Sequence, residues 1–209
     1  MELLTHLQSE QTSPRLQMAL GTVQKSLPCG ILTRKEEEEL AAFTNEKRRC
    51  EYISTRYLLR KLIGSAGLNP DRISTHKDEL GKPYGLYEGE HMYMSIAHTD
   101  NKILCALSMQ ADIGVDIERA DRKTGERLRA RILQPEEEKQ LGHVESIRLW
   151  TIKEAAVKLS GSGLRTNLNE VPVTPIGGDR FLAIFNDEKT ARICSFKHKN
   201  YWIAVAYFD

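Results

Sequence analysis

The sequence predicts an α+β fold built on mostly antiparallel sheets, and three observations carry that expectation. Short apolar runs come in pairs joined by turn residues, 92–96 with 103–107 and 192–196 with 201–207, which is the pattern of hairpins. Segments whose apolar residues repeat with helical spacing stand between these pairs and ahead of them. Helices and hairpins are therefore mixed in both halves, as in folds that lay helices on antiparallel sheets.

The elements follow in order. Thr33 with Glu36 three residues on forms a capping box. The helix it opens is expected to carry Leu40 and Phe43 inward, with the acidic run 36–39 as a solvated face. A longer helix is expected from Asn45 to Gly64, with Ile53, Tyr57, Leu58, Leu62 and Ile63 on its apolar side and a basic remainder that includes Lys47, Arg48, Arg49, Arg56 and Arg60. The strand pair 92–96 and 103–107 encloses a turn at 98–102. Residues 112–118 then alternate strictly, with Ile113, Val115 and Ile117 on one face and Gly114, Asp116 and Glu118 on the other. Pro135 followed by Glu136, Glu137 and Glu138 starts a helix, the acids lying at its positive end. Residues 146–160 read as a further helix ended by Gly161 and Gly163, and residues 197–200 as the last turn.

At 209 residues the chain suits one large domain or two small ones. It can bury about 70% of its unfolded surface, so it needs no disulfide or zinc staple. Thirty Lys and Arg against 29 Asp and Glu leave a formal net charge of +1, so no global pull toward nucleic acid or an acidic membrane is implied. The longest apolar runs, 103–109 and 202–208, fall far below the roughly 20 residues that span a bilayer. The first residues carry neither a basic region nor a long apolar one, so no signal peptide is expected. Cys29, Cys50, Cys105 and Cys194 are scattered and read as reduced thiols of a cytoplasmic protein.

The chemistry concentrates at a few places. Asp116 and Glu118 must project from the same side of one strand. Like charges held this close want a cation, and oxygen ligands of this kind suit Mg²⁺. The same pattern also fits an edge strand with a wet acidic face. In the helix 150–158, Trp150, Glu154 and Lys158 share a face. By default Trp150 is core, and Glu154 with Lys158 is a surface ion pair. Gly81-Lys82-Pro83 presents a lysine on a turn, and His98 follows a strand in an exposed or half-exposed position. Neither a Walker A sequence nor GxGxxG is present.

Taken in order, Gly81-Lys82-Pro83, Ser95-Ile96-Ala97-His98, the I-G-V-D-I-E run 113–118 and the W-x-x-K-E-A-x-x-K run 150–158 resemble the 4′-phosphopantetheinyl transferases. The closer likeness is to the larger single-chain type that activates surfactin- and enterobactin-like synthetases. That resemblance implies a pseudo-dimer of two similar α+β halves with coenzyme A in the cleft between them. It implies transfer of the phosphopantetheine arm of coenzyme A to a serine hydroxyl of an acyl or peptidyl carrier protein, with release of adenosine 3′,5′-bisphosphate. By the same resemblance, Asp116, Glu118 and Glu137 would hold Mg²⁺ with the pyrophosphate. Glu137 is preferred to its neighbours because it stands four residues before Leu141. Glu154 would take the serine proton and Lys158 would meet the pyrophosphate. Lys82 and Pro83 would sit at the adenosine end, and His98 at the phosphates. Arg48, Arg49 and Arg56 would receive the 3′-phosphate, since the guanidinium fork suits phosphate oxygens. Two departures stand out: Ala97 carries no hydroxyl, and Glu51 occupies a position where some members carry arginine.

The implied halves divide at 1–108, on the adenosine and 3′-phosphate side, and 109–209, on the Mg²⁺ and catalytic side. A monomer is expected from the pseudo-dimer, with no nucleic-acid or membrane partner. The basic segment 121–133, with Arg122, Lys123, Arg127, Arg129 and Arg131, offers a surface for an acidic carrier helix. Two other functions fit parts of the pattern. A different Mg²⁺-dependent nucleotidyl or phosphoryl transferase would use Asp116 and Glu118 but leave 150–158 unexplained. A non-catalytic docking module for coenzyme A or a carrier protein would not need the acids or Glu154.

Overall fold

The structure, a computed structural model, describes residues 1–4, 16–27, 29–163 and 166–208. It is α+β, with two all-antiparallel sheets. The first sheet contains β1 (Glu2–Leu4), β2 (Leu16–Thr22), β3 (Ile73–Lys77), β4 (Pro83–Tyr87), β5 (Glu90–Thr99) and β6 (Lys102–Ser108), in the order β1-β2-β6-β5-β4-β3. The second contains β7 (Ile113–Arg119), β8 (Val173–Gly177), β9 (Arg180–Ile184), β10 (Thr190–His198) and β11 (Tyr201–Phe208), in the order β7-β11-β10-β9-β8. The helices are α1 (Arg34–Ala41), α2 (Glu46–Ser65), α3 (Glu126–Ile132), α4 (Pro135–Leu141) and α5 (Ser146–Ser160).

The two sheets repeat one topology. A first strand, β2 or β7, leads into helical segments that end in a long helix, α2 or α5. A four-stranded meander follows, β3–β6 or β8–β11, and its last strand returns to pair with the first. The sheets stack face to face around Leu20, Leu104, Ala106, Val115, Ile117, Ile203 and Val205. On the outer face of the first sheet α2 seats Leu58, Leu59 and Leu62 against Met92, Met94 and Ile103. On the outer face of the second, α5 seats Leu149, Ile152 and Ala155 against Ile193, Ala204 and Ala206.

Tight hairpins set the register. Glu88, Asp100 and Lys199 each adopt positive φ in two-residue loops, where mirror-image turns match the twist of the flanking strands. This carries His98 and Thr99 into β5, and Lys197 and His198 into β10, positions the sequence had suggested as turn. The capping box of α1 forms as expected, yet its acids are not all solvated: Glu36 is 7% exposed, and Phe43 lies beyond the end of the helix. Burial is possible because Arg56 Nε stands 3.3 Å from Glu36 Oε1 and Thr75 Oγ1 donates to that oxygen at 3.2 Å.

The acidic strand also departs from the wet-edge picture. Its Ile113, Val115 and Ile117 fill the space between the sheets, while its other face lies directly beneath α5. A Cβ on Gly114 would stand 2.1 Å from the Ala155 carbonyl oxygen and 2.4 Å from Leu159 N. Only a residue without a side chain permits this approach, and rigid backbone cannot yield to a methyl group. Gly114→Ala is expected to cost more than about 3 kcal/mol, read as a lower urea midpoint or loss of soluble protein. A variant as stable as the wild type would show that α5 is not seated on β7 in this way.

Cys50, Cys105 and Cys194 form no disulfide. Among the described residues no helix is long and apolar enough to cross a membrane.

Candidate active site

The close seating of α5 on β7 brings four charged side chains into one place. Asp116 and Glu118, on alternate positions of β7, are 6% and 9% exposed. Glu154 and Lys158, one turn apart on α5, face them. Lys158 does not form the default surface pair of its helix; its Nζ crosses to Asp116 Oδ1 at 2.7 Å. Asp116 Oδ2 is buried and has no hydrogen-bond partner. Burial pushes the Asp116 carboxyl up to about 7, Lys158 opposes the shift, and Glu154 and Glu118 add to it. Glu154 is likewise raised, first by burial, with Lys158 opposing and Glu118 adding. Glu118 accepts from Thr99 Oγ1 at 2.9 Å and from Arg122 Nη1 at 2.6 Å.

An unpartnered carboxylate oxygen in a buried cluster of like charges is costly unless a cation completes it. The donor set suits a hard divalent cation, and Mg²⁺ commonly takes only one or two protein carboxylates, filling its other positions with water and phosphate oxygens. Among the described residues no group of three acidic, histidine or cysteine side chains is arranged to hold a metal as it stands. Lys158 and Arg122 occupy one oxygen each of Asp116 and Glu118.

Crevices open on both sides of this centre. One of about 450 Å³ is lined by His98, Thr99, Glu118, Arg119 and Arg122. Another of about 410 Å³ runs past Glu154 and Lys158 along Trp150, Val157, Ile132 and Arg131, and Trp150, half-buried and packed against the core, also forms its wall. His98 also lines a third, about 200 Å³, with Arg48, Glu51, Thr55, Arg56 and Pro83. His98 is solvent-facing, with Nε2 2.9 Å from Thr55 Oγ1. Desolvation by the protein packed around its ring holds its pKa below the usual imidazole value; Glu51 opposes this, and Lys158 and Arg48 push the same way.

Four expected site residues are placed differently. Glu137 is not brought to Asp116 and Glu118. It closes the capping box of α4, its Oε2 accepting from Gln134 N at 2.8 Å, and its Oε1 accepts from Val173 N at 2.8 Å. Its charge is met by Lys153 Nζ at 2.7 Å, whose side chain is wholly buried. Arg49 donates to the carbonyls of Leu40 and Phe43, at 2.9 and 3.3 Å, and so ties α2 to the end of α1. Arg56 lines the third crevice but is flanked by Glu36 and Glu39, at 3.3 and 3.5 Å, which neutralise much of its charge. Lys82 Nζ donates to Asp112 Oδ1 and to the Leu159 carbonyl, both at 2.6 Å, and so fastens the β3–β4 turn to the end of α5. Arg48, Pro83 and His98 line the third crevice together. Of the basic segment 121–133, Arg122 is engaged by Glu118, and Arg129 by Glu138 and the carbonyls of Leu141 and Val144.

Sequence reasoning missed Thr55, Thr99 and Lys153. For Lys153 a signal existed. It falls four residues after Leu149 and three before Ala156, on the apolar face of α5, and a lysine there requires a buried acid.

Residues 112–206 match the model of the 4′-phosphopantetheinyl transferase superfamily. A holo-[acyl-carrier-protein] synthase of Staphylococcus carnosus is 36% identical over 85 residues, which are 37% of this chain and 73% of that protein. The chain belongs to the 4′-phosphopantetheinyl transferase superfamily. A Staphylococcus aureus holo-[acyl-carrier-protein] synthase is 34% identical over 90 residues, covering 40% of this chain and 76% of its own. A longer likeness, 27% identity over 215 residues, covers 93% of this chain and 87% of a Synechocystis protein named as a candidate 4′-phosphopantetheinyl transferase. The protein is thus a transferase. The matched segment 112–206 contains Asp116, Glu118, Glu137, Glu154 and Lys158.

Proposed function

We propose that this transferase moves the 4′-phosphopantetheine arm of coenzyme A onto a serine hydroxyl of an acyl or peptidyl carrier protein in a Mg²⁺-dependent reaction. The observation that carries this reading is the unpartnered, buried Asp116 Oδ2 in a cluster with Glu118, Glu154 and Lys158. Asp116 and Glu118 would hold Mg²⁺. When bound there it would supply positive charge to the diphosphate, the main requirement of a phosphoryl transfer. Glu154 faces the same space, and its burial makes it a stronger proton acceptor than an ordinary glutamate. The serine oxygen bonds to the phosphorus that carries the pantetheine arm, and its proton passes to Glu154. The bond from that phosphorus to the bridging oxygen breaks, and adenosine 3′,5′-bisphosphate leaves. Lys158, one turn along α5, would neutralise the departing phosphate.

The nucleotide end would lie in the crevice lined by Arg48, Pro83 and His98. Arg48 is the better 3′-phosphate ligand, because its side chain is 70% exposed and its nearest acid, Glu51, is 3.6 Å away. Arg56 is already flanked by two carboxylates. Arg48→Gln is expected to raise KM for coenzyme A about five- to ten-fold with kcat nearly unchanged, measured by steady-state kinetics. A fall in kcat alone would move the 3′-phosphate elsewhere. Residues 1–108 would then supply the nucleotide side and 109–209 the metal and catalytic side.

Intact-mass spectrometry of apo carrier proteins incubated with the enzyme and coenzyme A tests the reaction. A gain of one phosphopantetheine, with adenosine 3′,5′-bisphosphate in the filtrate and loss of both on chelation, is the expected result. Transfer that persists after exhaustive chelation would overturn the metal's part in it.

A further inference from the structure

The pairing of Glu118 with Arg122 has a consequence for the metal centre. Arg122 Nη1 stands 2.6 Å from Glu118 Oε1, while Thr99 Oγ1 takes the other oxygen at 2.9 Å. The guanidinium comes from the solvent side: the Arg122 side chain is 54% exposed and that of Glu118 12%. It lies in the turn after β7, with Asp121 and Arg119 beside it in the same crevice. A guanidinium and a divalent cation would both neutralise the same carboxylate oxygen, and the two cannot approach it together without strong like-charge repulsion.

We propose that Arg122 is a tethered counter-ion that competes with the divalent cation for Glu118, so that the metal centre fills only as Arg122 swings out. This rests on the reading of Asp116 and Glu118 as metal ligands. It gives Arg122 a role other than contact with a carrier protein: the residue sets the affinity and selectivity of the centre. Lys158 on Asp116 differs, because it comes from the body of α5 and its side chain is 29% exposed. Arg122 can retreat into water with little penalty, and a pair with one partner at the surface is worth on the order of 1 kcal/mol. Its removal is therefore expected to tighten metal binding by about three- to six-fold.

The test is direct titration of the metal-free enzyme with Mn²⁺, following free Mn²⁺ by electron paramagnetic resonance, with no coenzyme A and no turnover. Wild type, Arg122→Gln, Arg122→Lys and Asp116→Asn are compared, together with thermal melts that report folding. Tighter binding in Arg122→Gln, intermediate binding in Arg122→Lys and loss of the site in Asp116→Asn are expected. Equal or weaker binding in Arg122→Gln, with the site still lost in Asp116→Asn, overturns the competition and leaves the metal centre standing. Binding that survives Asp116→Asn, or absent binding in wild type and Arg122→Gln alike, overturns the centre itself and the competition with it.

Discussion

Asp116→Asn is expected to abolish transfer while making the metal-free protein more stable above pH 7. The carboxyl is buried, its Oδ2 has no partner, and its folded pKa stands at about 7, against about 3.9 in an unfolded chain. The folded state therefore holds the proton more tightly than the unfolded state. Above pH 7 the charged form penalises folding fully, by up to about 4 kcal/mol. The penalty is relieved as pH falls from 7 toward 4, and below about 3 both states are protonated. Asparagine keeps the shape without the charge, but it leaves Lys158 without its 2.7 Å partner. A net gain on the order of 2 kcal/mol at pH 8, vanishing near pH 4, is expected from urea titrations across that range. Activity should fall by at least about a thousand-fold, since the charge proposed to hold the cation is gone. Equal or lower stability at pH 8 would mean that Lys158 already compensates the buried charge.

Glu137→Ala is expected to act in the opposite sense, through folding alone. Lys153 is wholly buried and its charge is met by Glu137. Removing the acid strands an ammonium in the core and also deprives Gln134 N and Val173 N of their acceptor. Breaking a buried pair from one side costs about 3–5 kcal/mol. Replacing both members, as Glu137→Met with Lys153→Met, should recover most of that loss. The coupling can be read from urea midpoints of the two single variants and the double. If Glu137→Ala were as stable as the wild type, the pair would not hold α4 to α5, and a role for Glu137 at the metal would return.

The contrast between these two acids explains what the sequence could and could not disclose. Strong periodicity made α2, α5, β7 and the two long hairpins legible. Strands β3 and β8 were not, because Ile73–Lys77 lacks an alternating apolar face and Val173–Gly177 carries Pro175 and a register shift. The shared topology of the halves left no visible sequence repeat, since pairing order constrains which strands meet and not which residues form them. At the site, spacing put Asp116 with Glu118 on one strand face and Glu154 with Lys158 on one helix face; only the family resemblance joined the two pairs into one centre. It could not separate Glu137 from them, because the deciding fact is the buried Lys153 on a neighbouring helix. The arginines were ambiguous for the same reason: Arg48 and Arg49 are adjacent in sequence, yet Arg49 closes the end of α1 while Arg48 lines the crevice.

In the proposed mechanism β7 and α5 form the reacting centre, and Glu137 lies outside it. The most direct measurement is intact-mass quantification of carrier modification by Asp116→Asn, Glu118→Gln, Glu154→Gln and Glu137→Gln, each normalised to its folded fraction. Loss of at least about a thousand-fold in the first three, with Glu137→Gln within about ten-fold of wild type, is the expected result. Near-normal transfer by Asp116→Asn or Glu154→Gln, or complete loss in a well-folded Glu137→Gln, would contradict it.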